Sequence, residues 1–175
     1  MKHKAIILVS ILVCSLFVAC NSNKNDSKEI EEQNKAIVRH IHEEISKGNI
    51  GVLKEVLADN YVRHCQAMAP DFQELHGTKQ YIAFMSDFLN AVPNAKDSIE
   101  LMLAEGDKVA YVMKTIGTQT GQMGNLPPSN KDFELVNIII HRFENGKIVE
   151  SWVSWDNIAM LTQLGFFPPT GSVKP

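Results

Sequence analysis

Apolar residues recur at helical spacing in the first part of the chain and at alternate positions in the last half. Ile30, Ile37, Val38, Ile41 and Ile45 fall on one helix face, with Glu, Lys and Arg between them. Asp26 with Glu29 three places on opens this helix as a capping box does, and Gly48-Asn49 ends it. Leu53, Val56 and Leu57 predict a short second helix. Tyr61 to Gln66 reads as a connector, and Pro70-Asp71 as a loop. Thr78 is placed to cap a third helix running to about Leu89, its apolar side being Tyr81, Ile82, Met85, Phe88 and Leu89.

Pro93-Asn94 breaks the helical pattern, and strands follow. Ser98 to Ala104 and Val109 to Thr120 are two, joined by a turn at Glu105 to Lys108. Gly121 to Asn130 holds Pro127-Pro128 and reads as a loop. Asp132 to Phe143 and Ile148 to Trp155 are the last two strands. Asn145-Gly146 between them accepts the two positive φ angles of a tight hairpin turn. Ile158 to Leu164 forms a short last helix, with Gly165 as its stop. Three helices followed by about four antiparallel strands is an α+β layout.

A two-residue turn sets the register of the last hairpin, and side chains alternate across it. Unbroken alternation places Asn137, Ile139, His141 and Phe143 on one face with Ser154, Trp152, Glu150 and Ile148, and Asp156 at its end. The other face carries Val136, Ile138, Ile140 and Arg142 with Val149, Ser151, Val153 and Trp155. The first face suits a cavity wall, with apolar surface for affinity and a few polar groups for orientation. A carboxylate at such a rim loses hydration, which raises its pKa and makes it a better base near neutrality; a nearby imidazole steadies the charge or relays the proton. The alternative is that Glu150 and His141 are an exposed cross-strand pair and Asp156 only caps the last helix. The second, strongly apolar face needs a cover, and a second copy of the chain supplies one: a homodimer through the outer sheet face is expected.

Residues 1–19 have a basic start, Lys2 and Lys4, then an apolar run from Ala5 to Ala19, as an export signal does. The run ends Phe17-Val18-Ala19-Cys20, which resembles a bacterial lipoprotein signal; a plain signal peptide with a chance cysteine is the other reading. Under the first, Cys20 is lipidated, 20–27 is a tether, 28–175 is the domain, and the protein is anchored to a membrane of the bacterial cell envelope. Of three cysteines Cys65 then stands alone, as a buried thiol. Lys+Arg 17 against Asp+Glu 20 gives a formal charge of -3, without the basic excess of a nucleic-acid partner. His40 and His42, two apart, do not share a helix face and read as solvated surface; no metal site or organic cofactor is expected.

From about Ile37 to Gly165 the chain resembles the SnoaL-like polyketide cyclases (ester cyclases) of the nuclear-transport-factor-2-like superfamily. The carriers are Gly106-Asp107-Lys108-Val109-Ala110, Gly117-Thr118-Gln119-Thr120-Gly121, Pro127-Pro128-Ser129-Asn130-Lys131, Arg142 to Trp152, Asp156 and Gln163-Leu164-Gly165. The resemblance implies a cone: a curved antiparallel sheet whose concave face is covered by the three N-terminal helices. It implies an acidic acid/base residue, here Asp156, and a histidine, here His64. Gln119 stands where many members have a histidine, and the arginine common near Val112 is absent.

Two functions are thus in view. In one, Asp156 with His141 or His64 moves protons on a small apolar carbonyl compound, in a cyclisation, isomerisation, dehydration or hydrolysis. Trp152, Glu150, Asn137, Ile139, Gln119, Phe84 and Phe88 then line the site. In the other, the same cone binds a small apolar molecule at the membrane without turning it over.

Overall fold

A computed structural model of the protein describes residues 26–168. The expected leader, Cys20 and most of the tether lie outside the described residues. Helix α1 occupies 26–46, and a short α2 follows at Val52–Val56. Strand β1 (Leu57–His64), a 3-10 turn at Pro70–Phe72 and strand β2 (Glu74–His76) lead to α3 (Gly77–Ala91). Strands β3 (Lys96–Glu105), β4 (Lys108–Gln119), β5 (Lys131–Glu144) and β6 (Lys147–Trp155) come next, then α4 (Asn157–Leu164). The α+β class holds, with six strands in the order β2-β1-β6-β5-β4-β3 instead of about four. Every neighbouring pair is antiparallel except β1 with β6.

The two added strands fall where the sequence reads as the end of a helix and a connector. β1 carries Asp59-Asn60, a turn-like pair, and buries an arginine, Arg63, where alternation asks for an apolar residue. Its partner in sequence, β2, is only three residues long. β1 leaves no local signal because its pairing with β6 joins distant parts of the chain, and β2, paired to β1 alone, is too short to show alternation. Thr78 does not cap α3; its hydroxyl donates to the Ala58 carbonyl at 2.8 Å, which ties the helix to β1.

The last hairpin has the expected turn, with Asn145 at φ 50° and Gly146 at φ 74°. Glu144 faces Lys147 and Phe143 faces Ile148, but Arg142 then faces Glu150. Val149 is the extra residue of a β-bulge. Ile148 and Val149 are consecutive, apolar and both buried, which strict alternation forbids and a bulge permits. Beyond it every β6 side chain is on the face opposite to that expected. Ser151, Val153 and Trp155 point inward with His141, Ile139 and Asn137, while Glu150, Trp152 and Ser154 point outward.

The first three helices pack on the inner face. Val38, Ile41, Val52, Leu53 and Val56 join Tyr61, Val109, Tyr111, Ile139, Phe143 and Ile148 in one apolar cluster. A second cluster at the other end of β5 joins Phe133 and Leu135 to Ala91, Val92, Met160 and Leu164. Cys65 is free and buried, as expected. Gly165 ends α4 at φ 83°, also as expected.

Candidate functional site

The sheet register builds polar rows across the inner face. In one row Arg63 on β1 neighbours Ser151 on β6, which faces His141 on β5. Tyr111 on β4 lies one pleat further along, opposite Ile139. His42 reaches the same place from α1, on the helix face shared by Val38 and Ile45.

These groups form one hydrogen-bonded chain. Asp97 Oδ2 lies 3.0 Å from His42 Nδ1, and His42 Nε2 lies 3.1 Å from the Tyr111 hydroxyl. That hydroxyl lies 2.9 Å from His141 Nε2, and His141 Nδ1 lies 2.6 Å from Ser151 Oγ. Asp97 Oδ1 also accepts the Thr115 hydroxyl at 2.7 Å, and Thr115 Oγ1 accepts Asn137 Nδ2 at 3.0 Å.

The Asp97 carboxylate is an acceptor only, and this sets the direction of every bond. A neutral His42 must donate Nδ1–H to it and accept the Tyr111 O–H at Nε2. Tyr111 oxygen then accepts from His141 Nε2–H, and His141 Nδ1 accepts from Ser151. Burial lowers the His141 pKa from 6.5 to about 3, with His42 adding a smaller push, so this imidazole is neutral. Burial holds the Tyr111 phenol well above its ordinary value, with the neighbouring tyrosines and Asp97 adding to it. Tyr61 and Tyr81 are raised for the same first reason; Arg63 opposes the shift in both, and the Ser151 hydroxyl opposes it at Tyr61.

Arg63 is 3% exposed, and among the described residues no carboxylate forms an ion pair with it. Its guanidinium carbon lies 4.9 Å from the Phe84 ring centroid and 5.8 Å from that of Trp155. Its Nη1 and the Trp155 Nε1 are both buried without a hydrogen-bond partner.

The expected site residues divide among several places. His141, Asn137 and Ile139 are on the inner face, and Phe84 and Phe88 face it from α3. His64, Glu150 and Trp152 do meet, but on the outer face, because the bulge turns Glu150 and Trp152 over. His64 Nε2 lies 2.9 Å from Glu150 and its Nδ1 3.2 Å from Glu74, with its ring stacked on Trp152. The His64 hydrogen bond, then Arg142, lowers the Glu150 pKa below its ordinary value. Gln119 is wholly buried, but its amide donates to the Gly121 and Pro127 carbonyls and accepts the Ser129 N–H. It pins the proline loop and has no group left for a ligand. Asp156 is exposed, and its carboxylate accepts the Ala159 N–H at 2.9 Å as the α4 cap. The enclosed apolar setting expected for this carboxylate is absent, and the capping alternative describes its geometry. A shallow groove at the far end of β4 and β5, between Lys96, Ile116, Thr118, Asp132 and Gln163, touches none of the buried polar groups.

The family profile described as SnoaL-like polyketide cyclase matches residues 35–164. The chain belongs to this family. Three solved structures show the same SnoaL-like fold. A protein of Jannaschia sp. CCS1, assigned as a SnoaL-like polyketide cyclase, is 23% identical with a TM-score of 0.71, over 79% of this chain and 96% of its own. TsrD of Streptomyces laurentii is 22% identical with a TM-score of 0.67, over 77% and 96%. An NTF2-like protein of unknown function from Burkholderia pseudomallei K96243 is 18% identical with a TM-score of 0.65, over 76% and 98%. No curated protein matches the sequence.

Within this SnoaL-like domain, sequence reasoning missed Arg63, Ser151, Tyr111, Asp97 and His42. His42 reads as solvated surface in the sequence, yet its side chain is only 14% exposed and is bonded on both ring nitrogens. Its position four after Val38 and three before Ile45 is a signal that could have found it. Tyr111 alternates with the buried Val109 and Met113 and was legible in the same way. Ser151 and Arg63 were not, since both depend on the bulge and on the parallel β1–β6 pairing. Among the described residues no group of three or more His, Cys, Asp or Glu could hold a metal ion.

Proposed function

We propose that this SnoaL-like domain binds a small, largely apolar carbonyl compound in its cone and moves protons on it through His141. The supporting observation is the buried chain Asp97–His42–Tyr111–His141–Ser151. Its neutral imidazole can accept a proton where a solvated Asp156 is poorly placed to do so. A proton arriving at His141 Nδ1 from the Ser151 side reverses the chain: the His141 Nε2 proton passes to Tyr111, the Tyr111 hydroxyl proton to His42 Nε2, and the His42 Nδ1 proton leaves to Asp97. The inner end can therefore give or take a proton while its counterpart is exchanged at the half-buried His42–Asp97 end.

The test is deuterium incorporation α to the carbonyl of 2-tetralone, followed by NMR. The wild type accelerates exchange, and His141→Gln lowers it by about 100-fold or more. Asp156→Asn leaves it within about twofold on this reading. A large loss in Asp156→Asn with none in His141→Gln overturns the assignment. The exposed position of Asp156 also favours a second reading, a binding module without turnover. Binding of 2-tetralone with no accelerated exchange selects it.

The leader supports a wider setting: a lipoprotein anchored through Cys20 at the bacterial envelope. Metabolic labelling with a fatty acid analogue, lost in Cys20→Ala, checks this. The outer face supports a homodimer. Leu101, Val112 and Ile138 line up across three strands, and Leu103, Ala110, Ile140 and Trp152 across four. Leu101, Leu103, Val136 and Ile138 are at least half exposed. Val153 and Trp155, expected on this face, are on the other. Light scattering on the wild type and on Ile138→Lys distinguishes a dimer from a monomer.

A further inference from the structure

We propose that the ligand of this cone carries an anionic oxygen, a carboxylate or an enolate on a planar conjugated body, and that Arg63 and Trp155 bind it. The proposal rests on the reading that the interior holds a ligand, and it assigns that ligand's chemical class.

Arg63 is a cation that the fold buries without a counter-charge. Burying an unpaired charge is among the costliest arrangements a protein can keep. Ring contacts to Phe84 and Trp155 offset part of that cost. They leave Nη1 without an acceptor, and the indole N–H of Trp155, the second of the two rings, also lacks one. Two buried donors without partners in one cation–ring pair, one of them charged, match a carboxylate or enolate oxygen. A water molecule could accept both hydrogen bonds but would leave the charge unbalanced.

The surroundings specify the rest of the ligand. Arg63 sits in the inner-face row next to Ser151 and His141, so an anion held there brings the adjoining carbons toward the inner end of the proton chain. Adjacent strands are about 4.8 Å apart, so Arg63 and His141 are separated by about 10 Å of sheet, the length of a fused bicyclic ring system. Tyr81, Phe84 and Phe88 on α3 and Val153 and Trp155 on β6 are only half-buried, unlike the sheet interior around Val109 and Ile148. The side chains of α3 and β6 around Arg63 are thus less fully buried than that interior, and the flat body of the proposed ligand lies among them. Ring faces and a guanidinium together favour a planar ligand over a bulky aliphatic one.

The experiment is calorimetric titration with 2-naphthoate and with its neutral isostere 2-naphthamide. The wild type prefers the naphthoate by about 10-fold or more, the increment a charge-assisted hydrogen bond supplies. Arg63→Met abolishes the preference and leaves naphthamide affinity within about twofold, while its thermal midpoint stays level or rises because an unpaired charge has been removed. Trp155→Phe keeps the ring, removes the N–H donor and reduces the preference by a smaller factor; it carries the test should Arg63→Met not fold. Equal binding of the two probes by the wild type overturns the anion assignment and leaves the binding cone standing. Binding of neither overturns the reading of a ligand-holding interior and this inference with it. A wild-type preference that survives in both variants places the anion elsewhere and also overturns the assignment.

Discussion

On the inner face of the sheet His141 is held between a phenol and a serine; on the outer face His64 is held between two carboxylates. The two imidazoles are two strands apart, yet their surroundings make them different chemical objects. Inside, the partners are neutral and water is excluded, so the imidazole stays uncharged and its tautomer is dictated by an aspartate three bonds away along the chain. Outside, Glu150 is shared by His64 and Arg142, and Arg142 reaches Glu144 as well. That cluster is a charge network in high dielectric, where each pair is worth little and salt screens it. A histidine beside a glutamate therefore attracts notice in a sequence more readily than a histidine beside a tyrosine, although here only the second lies in the buried interior.

The contrast between the faces can be broken in three ways. The largest effect is in pH. Folded His141 titrates at about 3 against 6.5 for an unperturbed histidine, so between these values the unfolded chain binds more protons. Stability from this group is full above about pH 6.5 and declines as pH falls toward 3, by on the order of a few kcal/mol. Urea unfolding at half-unit pH steps should show this slope in the wild type and a flatter one in His141→Gln between about pH 6.5 and 5. Equal slopes would mean that the imidazole is not buried neutral.

Next in size is the link itself. Tyr111→Phe keeps the ring and removes the hydroxyl that joins His42 to His141. It should cost about 1–3 kcal/mol, because both imidazoles lose a buried partner. The loss should be the same at low and high salt, since the groups are buried. The smallest effect belongs to the outer face. Glu150→Gln removes an acid whose pKa is lowered by His64 and then by Arg142. Its contribution is present above the ordinary carboxylate value and disappears as pH falls through the lowered one. A small change in melting temperature, erased by 1 M salt, is expected. A Glu150→Gln loss exceeding that of Tyr111→Phe would invert the comparison.

Strands β3 to β6, both tight turns, the C-terminal helix and its glycine stop were legible in the sequence, because each is specified by residues close together in the chain. Strict alternation in β5 sorts inner from outer correctly, and Asn137, Ile139 and His141 are inside as expected. The site was less legible. One unpaired residue in β6 transferred Glu150 and Trp152 to the far side, and nothing in the local pattern of Ile148-Val149 says which of the two the ladder will skip. β1 has no apolar alternation, since the residue it buries beside Tyr61 is an arginine. A buried charge breaks the rule by which sequence patterns are read, and such breaks concentrate where a ligand is to be met.

The single skipped residue at Val149 also works as a parity bit for the protein's C-terminal end. Pairing it with Arg142, instead of skipping it, would make the odd-numbered positions after it exchange roles with the even ones: serine for glutamate, one tryptophan for the other. Losing that one codon would only straighten the ladder, with His141 still opposite Ser151 and Glu150 still outside.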